Sequence, residues 1–337
     1  MTVTNQNAAT SAAAALPIGT PRHHIIIFAS LLVLLLIAPF VLYPVFIMKI
    51  LCFALFASAL NLLLGFGGLL SFGHAAFFGS ASYITAHAAK VWGLSPELAI
   101  LLGTLSAAFL GLVIGALAIR RQGIYFAMVT LVLTEVARLL AMALPITNGA
   151  KGMVSIPMPG GISLFGLTIL PDFATLQNPR AAFYFVSIVL MVLCFAGLYR
   201  LINSRIGGLC QSLQQNEELA SSIGVNITNL RVLAYAISSF LGGLGGAMFV
   251  AISQSIYPSS FTVTDSVNFM LNCFLGGLGY VFGPIIGTFV LYFGWDFLFQ
   301  TGKFQLLIFS SVLIILMLFL PNGLLSLRLT GKKGAGS

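Results

Sequence analysis

Of the 337 residues, 59% are hydrophobic and 7% charged, and the mean hydropathy is +1.07. Soluble domains carry roughly a quarter charged residues, so the composition excludes a soluble enzyme or binding module and points to a polytopic membrane protein. The formal charge of +8 comes from fifteen Lys and Arg scattered at the ends of apolar runs. That pattern suits membrane topology, with the lipid bilayer as partner and no nucleic acid.

In chain order, residues 1–22 are polar and Ala/Thr-rich, with no positive charge before Arg22, and read as a cytoplasmic N-terminal tail. The apolar run that follows is too long for a typical signal-peptide core and is taken as an uncleaved first span. Helices are predicted over 24–43, 45–64, 73–90, 97–119, 123–144, 181–202, 231–253, 264–279, 282–299 and 303–320. Runs of about 20 apolar residues cross a hydrocarbon core of roughly 30 Å, and they leave no room for a separate soluble domain. The expected fold is an all-α integral membrane protein, a polytopic bundle of about ten transmembrane helices over 23–325, followed by a basic cytoplasmic tail at 326–337.

With the N-terminus inside, Arg22, Arg120, Arg121, Arg200, Arg205, Arg231, Arg328, Lys332 and Lys333 fall on the cytoplasmic side, and Lys49, Lys90, Lys151, Arg180 and Lys303 outside. Nine against five favours that orientation and places both termini in the cytoplasm. The outer stretch 145–180 contains MVSIPMPGGISLFGLTIL, β-branched and broken by Pro157 and Pro159. It reads as a sheet-like or re-entrant piece, with a plain connecting loop as the alternative. On the inner side, the segment 203–230 is polar, Gly-punctuated and holds the sole adjacent acidic pair, Glu217 and Glu218. A short amphipathic helix there would offer Ile206, Leu209, Leu213 and Leu219 to a partner as an apolar edge while the two glutamates stay polar.

Helices in lipid associate by close packing at small residues. Gly279, Gly283 and Gly287 form successive GxxxG steps, Gly242 and Gly246 another, and Gly111 and Gly115 a third. Ala75, Gly79, Ser82, Ala86 and Ala89 line one helical face. Two segments look alike: GGLLSFGHAAFFG from Gly67 and GGLGYVFGPIIG from Gly276. Paired, Gly-broken apolar segments in two halves of a chain are a sign of interrupted helices lining a transport path.

The sequence lacks GxxxxGK[ST], a complete GxGxxG, HExxH and GxSxG, and Cys52, Cys194, Cys210 and Cys273 have no metal or CxxC spacing. Neither nucleotide hydrolysis nor familiar hydrolytic chemistry is encoded, so energy must come from elsewhere. Of seven acidic residues, Glu135 lies inside a predicted span with Arg138 three residues on, placed to pair on one face. Asp265, Asn268 and Asn272 share a face of the eighth predicted span. His74 starts a helix after the GFGGLLSFG turn, where a bond to backbone is expected. Asn61 and Ser71 are placed to repair backbone bonds freed by the glycine break. Ser71, His74, Glu135, Asn268 and Asn272 are the candidate translocation-path residues.

The stretches NLLLGFGGLLSFGHAAFFGSASYITA at 61–86, ALAIRRQGIYFAMVTLVLTEVARLL at 116–140 and FLGGLGYVFGPIIGTFVL at 274–291, with the polar segment between the last two, resemble branched-chain amino acid ABC transporter permeases of the LivM-like type. The resemblance implies an inner-membrane permease domain whose segment 203–230 is a coupling loop, with Glu218, Ala220 and Gly224 as the matching positions at the contact with an ATPase; Glu217 beside them and Gly207, which punctuates the helix, are taken with them as coupling residues. Gln214 and Gln215 stand where relatives often carry an arginine, and Ser221 stands at a usually small or Ala position. It further implies a homologous second permease, two ATP-binding subunits that hold ATP and Mg, and an extracytoplasmic substrate-binding protein. The chain itself would be no enzyme and would hold no cofactor or metal. A urea or short-amide importer and a simple-sugar importer share these motifs, and an ion-coupled carrier or channel is the alternative from another class.

Overall fold

The computed structural model describes residues 43–119, 123–157, 163–164, 167–168, 179–217, 220 and 224–298, with single positions between 30 and 35 and between 307 and 324. Helix α1 spans Pro44–Asn61 and runs into a π-helical turn, Leu62–Phe66. There follow α2 (His74–Lys90), α3 (Pro96–Ala118), α4 (Ile124–Ala143), α5 (Pro179–Ile202), α6 (Arg205–Gln215), α7 (Ile227–Ser253), α8 (Val263–Gly276) and α9 (Gly283–Leu298). Pro44 and Pro96 open their helices where a missing N–H costs nothing. Asn226 caps α7, its Oδ1 accepting from the Asn229 N–H at 3.1 Å. The predicted spans at 24–43 and 303–320 and the two tails lie outside the continuously described residues.

Among the described residues five helices are long and apolar enough to cross a membrane: Pro44–Phe66, Pro96–Ala118, Ile124–Ala143, Tyr184–Ile202 and Ile227–Ser253. In their most apolar stretches, α1 is 83% and α7 72% buried, against 33%, 28% and 33% for α3, α4 and α5. Helices α1 and α7 therefore form the centre, with leucine-rich faces of α3 and α4 turned outward, as expected where lipid is the solvent. Helices α8 and α9 form an antiparallel hairpin: a side chain on Gly276 would strike the Gly283 carbonyl, and one on Gly287 the Asn272 carbonyl. At 14 residues, α8 is only about 21 Å long, short of a full crossing.

Small residues set the packing largely where the pattern predicts. Gly111 and Gly115 of α3 lie against Ser239 and Tyr235 of α7, and Gly246 lies against the Phe78 carbonyl of α2. Ser82 of the α2 stripe donates across to the Gly246 carbonyl at 2.8 Å. Gly279 departs from the pattern. It sits in the turn between α8 and α9 at φ +78°, so the run Gly279, Gly283, Gly287 is not one helix face. A left-handed backbone there needs glycine for conformation, not for packing.

The stretch 145–180 does contain sheet. Strand β1 (Met153–Val154) pairs antiparallel with β4 (Ser255–Ile256), Met153 opposite Ile256, and β2 (Ser163–Leu164) pairs with β3 (Leu167–Thr168). The first pair ties this loop to the end of α7, and Lys90 Nζ donates to the Val154 carbonyl at 2.5 Å.

Candidate functional site

The run GFGGLLSFG, residues 65–73, cannot continue a helix cheaply, and its freed backbone groups are taken up by neighbouring elements. Gly67 N–H donates to the Leu62 and Leu63 carbonyls at 3.1 and 3.0 Å, and Leu69 N–H to the Leu63 carbonyl at 3.0 Å. Phe72 N–H donates to Thr130 Oγ1 (3.2 Å), and its carbonyl accepts from Thr134 Oγ1 (3.1 Å), both on α4. Gly73 N–H donates to Ser71 Oγ (3.2 Å), which also lies 3.2 Å from the Tyr235 hydroxyl of α7. Ala75 N–H, in the first turn of α2, donates to Ser266 Oγ of α8 at 3.1 Å.

His74 is fully buried at the start of α2. Its partner is a side chain rather than the expected backbone group: Nε2 lies 2.8 Å from Ser238 Oγ on α7. Ser238 donates its own proton to the Ala59 carbonyl of α1. The histidine Nε2 must therefore carry the hydrogen, and Nδ1, which has no partner among the described residues, is a bare acceptor.

The second break, Gly277–Phe282, reaches the first. Asn61 Nδ2 donates to the Tyr280 carbonyl (3.0 Å), and its Oδ1 accepts from the Gly279 N–H (3.4 Å). A side chain on Gly65 would lie 2.6 Å from the Gly279 nitrogen. The two look-alike Gly-rich segments thus meet at one junction, joined by Asn61.

The polar segment adjoins the same junction. Helix α6 packs beside Gly68, where a side chain would come within 3.1 Å of Gln214 Cγ. The apolar edge of α6 faces inward: Cys210 and Leu213, with Ala220 beyond the helix, join Leu63, Leu69 and Tyr235 in one buried cluster. That corrects the expectation of an apolar edge offered outward, because the bundle's own apolar surface is the nearer cover. Gly207 is buried against the Ile202 carbonyl, and Ala220 is buried too, whereas Gly208, Gln214, Gln215, Asn216 and Gly224 are exposed. Gly224 holds φ +83°. Glu217 pairs with Arg231 at the start of α7, through Oε1–Nη1 at 3.2 Å and Oε2–Nη2 at 2.8 Å. Glu218 and Leu219 lie outside the described residues.

Of the path candidates, Ser71 and His74 belong to the junction. Asn272 is buried, 3.3 Å from Thr288 Oγ1, between the hairpin helices. Glu135 and Asn268 stand apart, Glu135 half-buried and Asn268 exposed. Glu135 pairs with Arg138, but their side chains are 42% and 27% exposed on the outer face of α4, not inside this bundle. The sequence reading missed Thr130, Thr134, Tyr235, Ser238 and Ser266. Their signal was spacing: Tyr235 and Ser238, and Thr130 and Thr134, each share a helical face.

Fold and site together define an all-α polytopic membrane protein whose two interrupted helical segments meet at a buried polar junction. The chain belongs to the family described as branched-chain amino acid transport system / permease component, which it matches over residues 44–321. Members of this family are membrane permease subunits of ABC transporters, not enzymes in themselves, and they function with ATPase and other partner subunits. The chain is 29% identical to the high-affinity branched-chain amino acid transport system permease protein LivM of Salmonella typhimurium, over 79% of this chain and 66% of that protein. It is 28% identical to LivM of Escherichia coli K12, over 82% and 69%. It thus spans about two thirds of the length of these relatives. A shorter likeness, 25% identity over 40% of the chain and 44% of the relative, joins it to the ribose import permease protein RbsC of Escherichia coli K12. No solved structure matches the chain.

Proposed function

We propose that this chain is one permease subunit of an ATP-driven importer that moves branched-chain amino acids across a bacterial inner membrane by alternating access, with both termini in the cytoplasm. It pairs with a homologous second permease, is driven by two ATP-binding subunits that hold ATP and Mg, and receives substrate from an extracytoplasmic binding protein. The observation that carries the mechanism is the adjacency of α6 to the junction: Gln214 packs on Gly68, at the first helix break. Motion of the segment 203–230 would pass directly to the break that Ser71, Tyr235, His74 and Ser238 hold in place.

Coupling to the ATPase is assigned to Glu217, Glu218, Ala220, Gly224 and Gly207. Glu217, Ala220 and Gly207 act from behind, by holding the segment on the bundle, and the exposed polar residues with Gly224 meet the partner. The Glu135–Arg138 pair supports a covering second permease. An ion pair on an apolar outer face is costly against lipid and is expected to face protein or a water-filled path. The branched-chain reading rests on the LivM likeness over about four fifths of the chain. The ribose-permease likeness covers 40% and supports a simple-sugar cargo less well.

The test is uptake in cells carrying the whole transporter. Glu218→Lys with Gly224→Leu should abolish leucine uptake while the protein still inserts in the membrane. Normal uptake by that variant would defeat the coupling assignment.

A further inference from the structure

Next to the junction lies a cavity of about 300 Å³, which the transport reading leaves unused. Phe56 and Ala75, the latter next to His74, line it on the junction side, and Phe53, Asp265 and Tyr292 line it farther along α1, α8 and α9. Its lining comes from this one chain. Its walls are rings. Phe53 stacks on Tyr292 of α9 at 4.9 Å between centroids and lies 5.3 Å from Phe249 of α7 and 5.4 Å from Phe269 of α8. The charged group in the lining is Asp265, whose Oδ2 accepts from Thr262 Oγ1 at 2.5 Å, which fixes the carboxylate in the first turn of α8.

Ring faces carry negative charge and attract a cation, and a carboxylate beside them adds to that attraction. The protein already uses one ring in this way, since Lys49 Nζ lies 5.9 Å from the centroid of Phe249. Among the described residues no ion pair joins Lys49 to Asp265, so the carboxylate can meet an incoming cation. We propose that this cavity is a binding site for the ammonium group of an aliphatic primary amine, an amino acid's α-ammonium included, held by Asp265 with the alkyl part against Phe53, Phe249 and Tyr292. The site recognises the ammonium, not the carboxylate. It rests on the transport reading only in that leucine is one of the probes.

The experiment is equilibrium binding to the full transporter in nanodiscs, without the binding protein, using leucine, 3-methylbutylamine (the ammonium and alkyl chain alone) and 4-methylpentanoate (the carboxylate and alkyl chain alone). Leucine and 3-methylbutylamine should bind competitively and 4-methylpentanoate should not. Asp265→Asn should remove both. Phe249→Leu and Tyr292→Leu, which keep the carboxylate and serve if Asp265→Asn does not assemble, should each weaken binding about two- to thirtyfold. Binding of 4-methylpentanoate as tight as that of the amine, or amine binding unchanged in all three variants, would overturn the site. Leucine uptake measured in parallel separates the two proposals. Uptake of leucine without amine binding sinks the cavity alone, whereas Asp265-dependent amine binding without leucine uptake sinks the choice of cargo alone.

Discussion

Ser238 is the side chain on which the junction turns, because it bridges α1 and α2 from α7. Ser238→Ala removes the partner of a buried histidine that already has one bare nitrogen, and an unsatisfied buried group costs about 1–3 kcal/mol. Tyr235→Phe removes one of two bonds at Ser71, which keeps the Gly73 N–H, and should cost about 1 kcal/mol or less. Thermal unfolding in detergent should therefore rank Ser238→Ala below Tyr235→Phe, and the reverse order would contradict the network drawn here. In the polar segment, Arg231 is 11% exposed and Glu217 37%, so solvent screens the pair in part. Glu217→Gln should destabilise by about 1 kcal/mol, and the double exchange Glu217→Arg with Arg231→Glu should recover part of that loss.

At the scale of elements, two glycines of α7 four residues apart make opposite predictions. A methyl at Gly242 would meet Phe56 ring carbons at 3.4 and 3.5 Å, ordinary contact, whereas one at Gly246 would strike the Phe78 carbonyl and lie 2.9 Å from Ser82 Oγ. Gly242→Ala should be neutral or stabilising by up to about 1 kcal/mol through helix propensity, and Gly246→Ala destabilising by about 1–3 kcal/mol through overpacking. Melting temperatures of the two variants decide. Most of these elements were legible in the sequence. Long apolar runs have one stable form in lipid, and Pro44, Pro96 and the Gly67–Gly68 pair mark ends within a few residues of those observed. What pairs with what was not legible. That Gly279 belongs to a turn, that α6 turns its apolar edge inward, and that His74 finds a serine 164 residues away all depend on contacts distant in sequence. Periodicity places residues on a face and does not say what covers it.

For the whole molecule, the outer face of α4 carries the test of assembly. A homologous permease over that face predicts that single cysteines at Val132 or Val136, both exposed, crosslink to the second permease within the membrane, and that cysteines at the outward Leu105 or Phe109 of α3 do not. Crosslinking from α3 alone would move the interface. In the proposed transporter this helical scaffold translocates a branched-chain amino acid only when outside ATPases act through the segment 203–230. Its most direct test is leucine accumulation in proteoliposomes holding both permeases, the two ATP-binding subunits and the binding protein. Accumulation should require ATP and this chain, and should be lost in Gly224→Leu while the four membrane-associated subunits remain assembled. Accumulation without ATP, or unchanged in that variant, would contradict it.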